Sequence, residues 1–393
     1  MRLQEMVPNV LLPKLKYLRV LSLPYGDFET LPNSIGQLIH LRYLDVSYTK
    51  IKELHESVCD LYNLQTLKLQ WCARLTMLPS AMPNLINLRY LDIYGSGIKE
   101  LPKGISKFNC LQFLSEFSVG KKKVGAQIGE LGTLPDLGRR LSIDNLQYVV
   151  NAKDASKARL KDKKYVWYLE LRWGTDTNID DSQHERDILD QLQPHPSLES
   201  LYIIGYRGTR FPDWLGHASY HNMVDLLLSD CNYCCLLPSL GQLPHLREIY
   251  ISGLGGLVII GNEFYKNDDN SSLTTLFPSL EDLSFSDMPV WEEWSSFEGV
   301  GGDVFPRLIR LSLRNCPRLV RDLPHHLPAL EDLSIEGCPN LVSSLPRAPA
   351  INMLMDSKLW QVLNCRSIRN RRNFHGRCAH SLISGSLLVK SSV

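Results

Sequence analysis

Residues 41–54 read LRYLDVSYTKIKEL, and residues 88–101 read LRYLDIYGSGIKEL, with nine of the fourteen letters unchanged. Aligning the chain on the LxxLxL pattern inside this phrase gives Leu18, Leu21 and Leu23, then Leu41, Leu44 and Val46. Leu64, Leu67 and Leu69 follow, and then Leu88, Leu91 and Ile93. The copies lie 23, 23 and 24 residues apart. A constant period of this length is the mark of a chain built from one repeated unit. Within LRYLDVSY the apolar and polar residues alternate, so Leu44 and Val46 point to one face of a short strand while Tyr43, Asp45 and Ser47 point to the other.

This spacing is that of leucine-rich repeats and predicts an α/β solenoid. The expected shape is a leucine-rich-repeat horseshoe with a parallel concave β-sheet and an irregular, short-helical convex side. Further copies begin near Leu111, Val166, Leu198, Met223, Leu246, Leu280, Leu308 and Leu330, with an irregular one at Leu141–Leu146, about a dozen in all. The ninth repeat position holds small side chains at Thr49, Cys72, Ser96, Cys231, Cys316 and Cys338, suited to turning the chain inward and satisfying backbone groups there. The phrases LPNSIGQL, LPSAMPNL and LPKGISKF carry the return path, where Pro and Gly favour a non-strand conformation.

The organisation expected along the chain is an N-terminal remnant at 1–14, regular leucine-rich repeats at 15–117 and an irregular insertion and repeat region at 118–165. Degenerate repeats follow at 166–347, then a non-repeat basic tail at 348–393. This region contains SVGKKKVGAQIG, a strand-like LSIDNLQYVV and the helix-prone DASKARLKDKK, and a second insertion, DTNIDDSQHERDILDQLQPHP, reads as an acidic loop and a helix burying Ile188, Leu189 and Leu192 before Pro194. Both are expected on the outer face or edge of the solenoid. The start looks cut rather than capped, since only about fourteen residues precede the first repeat and solenoid ends need polar caps.

With 43 Lys and Arg against 42 Asp and Glu, the net charge of +1 gives no general pull toward nucleic acid or an anionic membrane. The first residues, MRLQEMVPNVLLPKLK, lack an unbroken apolar signal region, and no run approaches a membrane span, so the chain reads as soluble and non-secreted. The ten cysteines then fit a reducing compartment.

Motifs of chemistry fall away one by one. There is no GxxxxGK[ST] phosphate loop, the nearest Gly and Lys cluster at Gly120–Gly125 having the wrong order. Gly253, Gly255 and Gly256 approach a dinucleotide fingerprint but meet Val258, and read as a turn. Cys231, Cys234 and Cys235 have CxxC spacing without a second pair, and read as structural thiols. His184 and Glu185 begin an HExxH-like phrase that fails at Ile188, leaving a solvated helix. Cys365, His375, Cys378 and His380 show no recognised metal spacing, and the arginines of the tail read as solvated. No nucleophile, base and acid stand together, so the expectation is a non-enzyme without metal or cofactor.

The concave surface remains. Its third repeat position runs Val20, Tyr43, Thr66, Tyr90 and Phe113, then Asp225, Glu248, Asp282, Arg310 and Asp332. The fifth adds Ser22, Asp45, Lys68 and Asp92, with Trp71 and Tyr94 alongside. Aromatic residues mixed with a few charges are the composition of protein-binding hot spots, and the acidic stretch prefers a basic partner. The alternative is that pairs such as Arg42 with Tyr43, and Arg89 with Tyr90, pack along the sheet surface.

Beyond the periodicity, the segment LRVLSLPYGDFETLPNSIGQLIHLRYLDVSYTKIKELHESVCDLYNLQTLKL resembles the repeat region of plant nucleotide-binding leucine-rich-repeat disease-resistance proteins of the coiled-coil class. IGELGTLPDLGRRLSIDNLQYV, DASKARLKDKKYVWYLELRW, QPHPSLESLYIIGYRGTRFPDWLG and FPSLEDLSFSDMPVWEEW carry the same resemblance across most of residues 11–347. It implies a cytoplasmic immune receptor whose repeats bind a pathogen effector or a guarded host protein and restrain a nucleotide switch. In such proteins a coiled coil and an ADP/ATP-binding domain precede the repeats. ADP or ATP would concern this sequence only through such a domain, whose motifs it does not show. A free-standing intracellular leucine-rich-repeat adaptor is the second reading. An extracellular receptor fits less well, because LxGxIP is absent and Asn270 opens the only glycosylation sequon.

Overall fold

The computed structural model describes residues 14–121, 125–175, 182–266, 275–295, 297, 304–320, 323–324, 326–341 and 353–355. The expected remnant before residue 14, the acidic loop at 176–181, the sequon at Asn270, the donors at Cys365, His375, Cys378 and His380, and the rest of the basic tail lie outside them.

Each repeat contributes one short strand, because its two inward apolar residues leave the water together while the residues between them do not. The first five strands are β1 (Val20–Ser22), β2 (Tyr43–Asp45), β3 (Thr66–Lys68), β4 (Tyr90–Asp92) and β5 (Phe113–Leu114), in a parallel sheet in chain order. A ten-stranded parallel sheet follows. Its members are β6 (Glu116–Ser118), β7 (Gly138–Asp144), β8 (Tyr165–Arg172), β9 (Ser200–Ile204), β10 (Asp225–Ser229), β11 (Glu248–Ser252), β13 (Asp282–Ser286), β15 (Arg310–Arg314), β16 (Asp332–Glu336) and β17 (Met353–Met355). β12 (Ile259–Ile260) and β14 (Glu293–Trp294) form a separate two-stranded pair. Leu44, Leu67 and Leu91 stand opposite one another in register, and all are fully buried, as are Val46, Leu69 and Ile93.

On the other side of the core, the return segments make 3₁₀ turns at Asn33–Gln37, Glu56–Asp60, Met82–Asn84, Ile105–Lys107 and Ile128–Thr133. Ile35, Val58, Met82, Ile105 and Ile128 point inward from them. Each of the first four turns closes on a buried or nearly buried residue, Leu38, Leu61, Leu85 or Phe108, whose N–H donates to the carbonyl of that inward residue. Asn63 and Asn87 donate side-chain bonds of 2.7 Å to Ile39 O and Tyr62 O of the preceding repeat, tying neighbours together on this side.

Three expectations change. The outer placement expected for residues 118–165 does not hold throughout, because their strand-like part is β7, a full member of the sheet, while the Ile128–Thr133 turn, the helix Ala152–Ser156 and the short turns beside it lie outside the sheet. That helix is shorter than DASKARLKDKK suggests, since Arg159 takes a left-handed conformation (φ 52°). The sheet also continues past residue 347, with β17 paired in register to β16. The second insertion behaves as expected: Ser182–Gln191 is a helix with Ile188, Leu189 and the following Leu192 buried.

Candidate protein-interaction surface

Among the described residues, no element packs over the face of the sheet opposite the core. Across β2 to β5 its third-position row is Tyr43, Thr66, Tyr90 and Phe113, each directly opposite the next. Tyr90 and Phe113 stack with ring centroids 4.2 Å apart. The Lys68 ammonium lies 5.7 Å from the ring centroids of both Tyr43 and Tyr90, a cation–π arrangement that holds the charge at the surface. Tyr43 O–H donates to Asp45 Oδ2 at 3.2 Å, and Tyr90 O–H to Asp92 Oδ2 at the same distance. Burial, then the Asp92 charge, push the Tyr90 hydroxyl up to about 12. Asp92 itself is only 1% exposed and also accepts from Gln70 Nε2 at 2.6 Å. It organises its neighbours and is not a surface contact, a correction to its place in the predicted set.

Trp71 belongs to a second row. Tyr25, Tyr48 and Trp71 occupy the eighth repeat position with φ of 60°, 58° and 54°, and Gly95 follows at 69°. A left-handed conformation costs a residue with a Cβ about 1–2 kcal/mol, and here it projects three aromatic side chains from the strand ends into solvent. Tyr25 stacks on Tyr48 at 4.8 Å, and Trp71 meets Tyr94 edge-on at 5.7 Å. Gly95 leaves room for the indole, since a Cβ there would lie 2.8 Å from a Trp71 ring carbon. Tyr25 and Tyr48 are absent from the predicted set; their matching offset from the repeat leucines was the available signal.

The middle of the face carries residues outside the predicted set. Ser115, buried between β5 and β6, accepts the Ile93 N–H on its hydroxyl at 2.9 Å and so divides the two sheets. Beyond it Glu116, Asp144, Glu170 and Arg172 gather on the free face, with Arg140 beside them. Arg172 pairs with Glu170 at 2.6 Å and Asp144 at 3.7 Å. Arg140 donates to Tyr168 Oη at 2.9 Å and pairs with Glu170 at 3.4 Å, its guanidinium 4.0 Å from the Tyr168 ring centroid and 5.0 Å from that of Tyr94. Burial, then the neighbouring Asp144 charge, raise the Glu116 carboxyl to about 7. Burial also raises Asp144, against the pull of Arg172.

In the C-terminal part Asp225, Glu248, Asp282, Arg310 and Asp332 form one row in register, as the spacing predicts. The row is less open than its charges suggest. Arg310 Nε donates to Asp282 Oδ2 at 2.7 Å, and Ser200 Oγ donates to Asp225 Oδ2.

Residues 128–254 match the family described as R13L1/DRL21 leucine-rich repeats. The chain is 44% identical over 338 residues to a candidate disease resistance RPP13-like protein 1 of Arabidopsis thaliana, covering 84% of this chain and 32% of that protein. It is 40% identical over 316 residues to disease resistance protein RGA2 of Solanum bulbocastanum, covering 78% and 32%. The chain is a leucine-rich-repeat relative of plant disease-resistance proteins. It spans about a third of the length of these relatives. Among solved structures it resembles a leucine-rich-repeat protein of Leptospira interrogans at 19% identity and a TM-score of 0.45, covering 91% of this chain and 85% of that one.

The leucine-rich-repeat register also explains the residues that imitate other chemistries. Cys231 Sγ donates to Ser229 O at 3.4 Å and Cys234 Sγ to Gly208 O at 3.1 Å, so both thiols serve the repeat backbone. Gly253 (φ 64°) fills the left-handed eighth position, where Asp230 and Asn315 stand in other repeats. Glu185 departs from its expected solvated state: it is 1% exposed and accepts the Trp173 indole N–H at 2.6 Å.

Proposed function

We propose that this chain is the recognition module of a plant intracellular immune receptor, binding a pathogen effector or a guarded host protein on its concave face. The observation that carries the reading is the combination of 44% identity to a disease-resistance relative over most of the chain with a sheet face that bears Tyr43, Tyr90, Phe113 and Trp71 and is covered by no element among the described residues. Rigid aromatic side chains fixed by strand register lose little entropy on binding, which is why they dominate recognition surfaces. No helix among the described residues is long and apolar enough to cross a membrane, and a cytoplasmic location belongs to this proposal. In a receptor of that kind the module would also hold an ADP/ATP-binding domain in check.

The test is a pull-down from infected plant tissue with the wild-type chain and a Tyr43→Ala, Tyr90→Ala, Phe113→Ala chain side by side, both checked for folding. A pathogen or host protein retained by the first and lost by the second supports the proposal. Identical bound sets contradict it.

A further inference from the structure

The free face of the sheet is far more acidic than the chain. Over the described strands its three rows of outward side chains carry ten carboxylates against five Lys and Arg, whereas the whole sequence has a net charge of +1. The imbalance is sharpest at the centre. Around Glu116 stand Tyr94 and Gly95 just after β4, Arg140, Ser142 and Asp144 from β7, and Glu170 and Arg172 from β8. Both arginines are engaged, Arg140 by Glu170 and Arg172 by Glu170 and Asp144. Glu116 accepts only a long bond from Gly95 N–H at 3.5 Å, and no cation stands within ion-pairing distance of it among the described residues.

Resting on the recognition reading above, we propose that this face takes a basic, arginine-bearing segment of the protein partner, with one arginine seated against Glu116 and Asp144. Two observations select arginine among cations. No three ligand-type side chains converge as a metal cage among the described residues. The chain's own Arg140 already shows how the face holds a guanidinium, between Tyr94 and Tyr168 with Glu170 at its edge. A planar, weakly hydrated cation that stacks on rings and bonds a carboxylate with its edge fits that setting better than a compact ammonium. The edge-on Trp71 and Tyr94 pair flanks the seat, because the Gly95 N–H that reaches Glu116 follows Tyr94 and packs under Trp71.

The experiment is fluorescence anisotropy of a labelled peptide of alternating glycine and arginine, and of its citrulline counterpart, with the full chain at low ionic strength. The arginine peptide is expected to bind about tenfold or more tightly than the citrulline peptide, and Glu116→Gln to remove most of that difference. Asp213→Asn, at a carboxylate 95% exposed away from the sheet, should leave it unchanged. Binding by the wild type should weaken as pH falls through about 7, where Glu116 takes up a proton, and binding by Glu116→Gln should not. Equal binding of the two peptides, or an unaltered difference in Glu116→Gln, overturns the proposal.

One rival occupant is internal, since residues 357–393 contain seven Lys and Arg and no Asp or Glu. A full chain with its tail arginines changed to Gln that binds the peptide about tenfold more tightly would assign the seat to the tail and overturn the partner assignment. The inference and the reading beneath it fail separately. A partner lost by the triple-alanine chain but kept by Glu116→Gln removes the arginine seat and leaves the recognition surface standing.

Discussion

Tyr90 and Phe113 lie on adjacent parallel strands with their rings stacked, centroids 4.2 Å apart and planes 12° apart. The contact forms on the free face, outside the leucine core, so the pair adds to stability across a repeat boundary while remaining available to a partner. A double-mutant cycle with Tyr90→Ala and Phe113→Ala in urea unfolding should show a coupling of about 0.5–1.5 kcal/mol. Strict additivity would mean that the stack contributes nothing.

Leu91 is fully buried between Leu67 and Leu114. Leu91→Ala should cost about 2–5 kcal/mol, the usual penalty of a buried leucine truncation. Thr66→Ala, one row away on the free face, should stay within about 0.5 kcal/mol. Chemical unfolding of both variants checks the inward and outward assignment, and a reversed order would break the register.

Lys163 is buried, and its ammonium donates to Leu131 O and Leu134 O at 2.8 Å each, tying the Ile128–Thr133 turn to the segment that enters β8. Lys163→Met should destabilise the chain by about 1–3 kcal/mol at neutral pH through the loss of these bonds. Burial, then the Arg159 charge, push the ammonium down to about 8. Between about 8 and the unfolded value of about 10.4 the unfolded chain holds more protons at this group. Wild-type stability should therefore rise with pH across that window relative to Lys163→Met, and unfolding midpoints at several pH values would show a parallel course if the amine were solvated.

Glu116 carries the opposite sign to an ordinary paired carboxylate. Its folded value, about 7, lies above its unfolded value of about 4.3, so the folded chain holds the extra proton between them and loses stability as pH rises through that window. Glu116→Gln should be more stable than wild type at pH 8 by about 1–2 kcal/mol, discounting for partial solvation, with the advantage gone by pH 4. Thermal unfolding at the two pH values measures this. An advantage of equal size at both would place its origin outside the titration.

The regular strands were legible because alternation of period two and a constant repeat length place every side chain on one face or the other. Tyr43, Asp45, Lys68, Tyr90 and Phe113 fall where the spacing puts them. The centre was not legible, because two local irregularities break the count. Leu114 and Phe117 are three residues apart where the repeat expects two, and β8 carries Trp167 as an extra residue where its pairing with β7 shifts between Arg139 and Arg140. Past Leu114, counting by period turns Glu116 inward, and the irregular copy counted from Leu141 misplaces Arg140 and Asp144. Glu170 keeps the outward fifth position of the copy at Val166, and its pairing with Arg140 and Arg172 depends on side chains that period alone does not describe. Asp92 was placed correctly but misjudged, since burial depends on neighbouring repeats that period alone does not describe.

Trp71, at the rim of the concave face, and Tyr62, on the opposite turn side, are 50% and 49% exposed, a matched pair for reporting which side a partner covers. Hydroxyl-radical footprinting of the chain, free and bound to the protein retained in the pull-down, makes that comparison directly. Protection of Trp71, with Tyr62 oxidised as before, is the predicted result. Protection of Tyr62 with Trp71 unchanged would contradict recognition by the concave face.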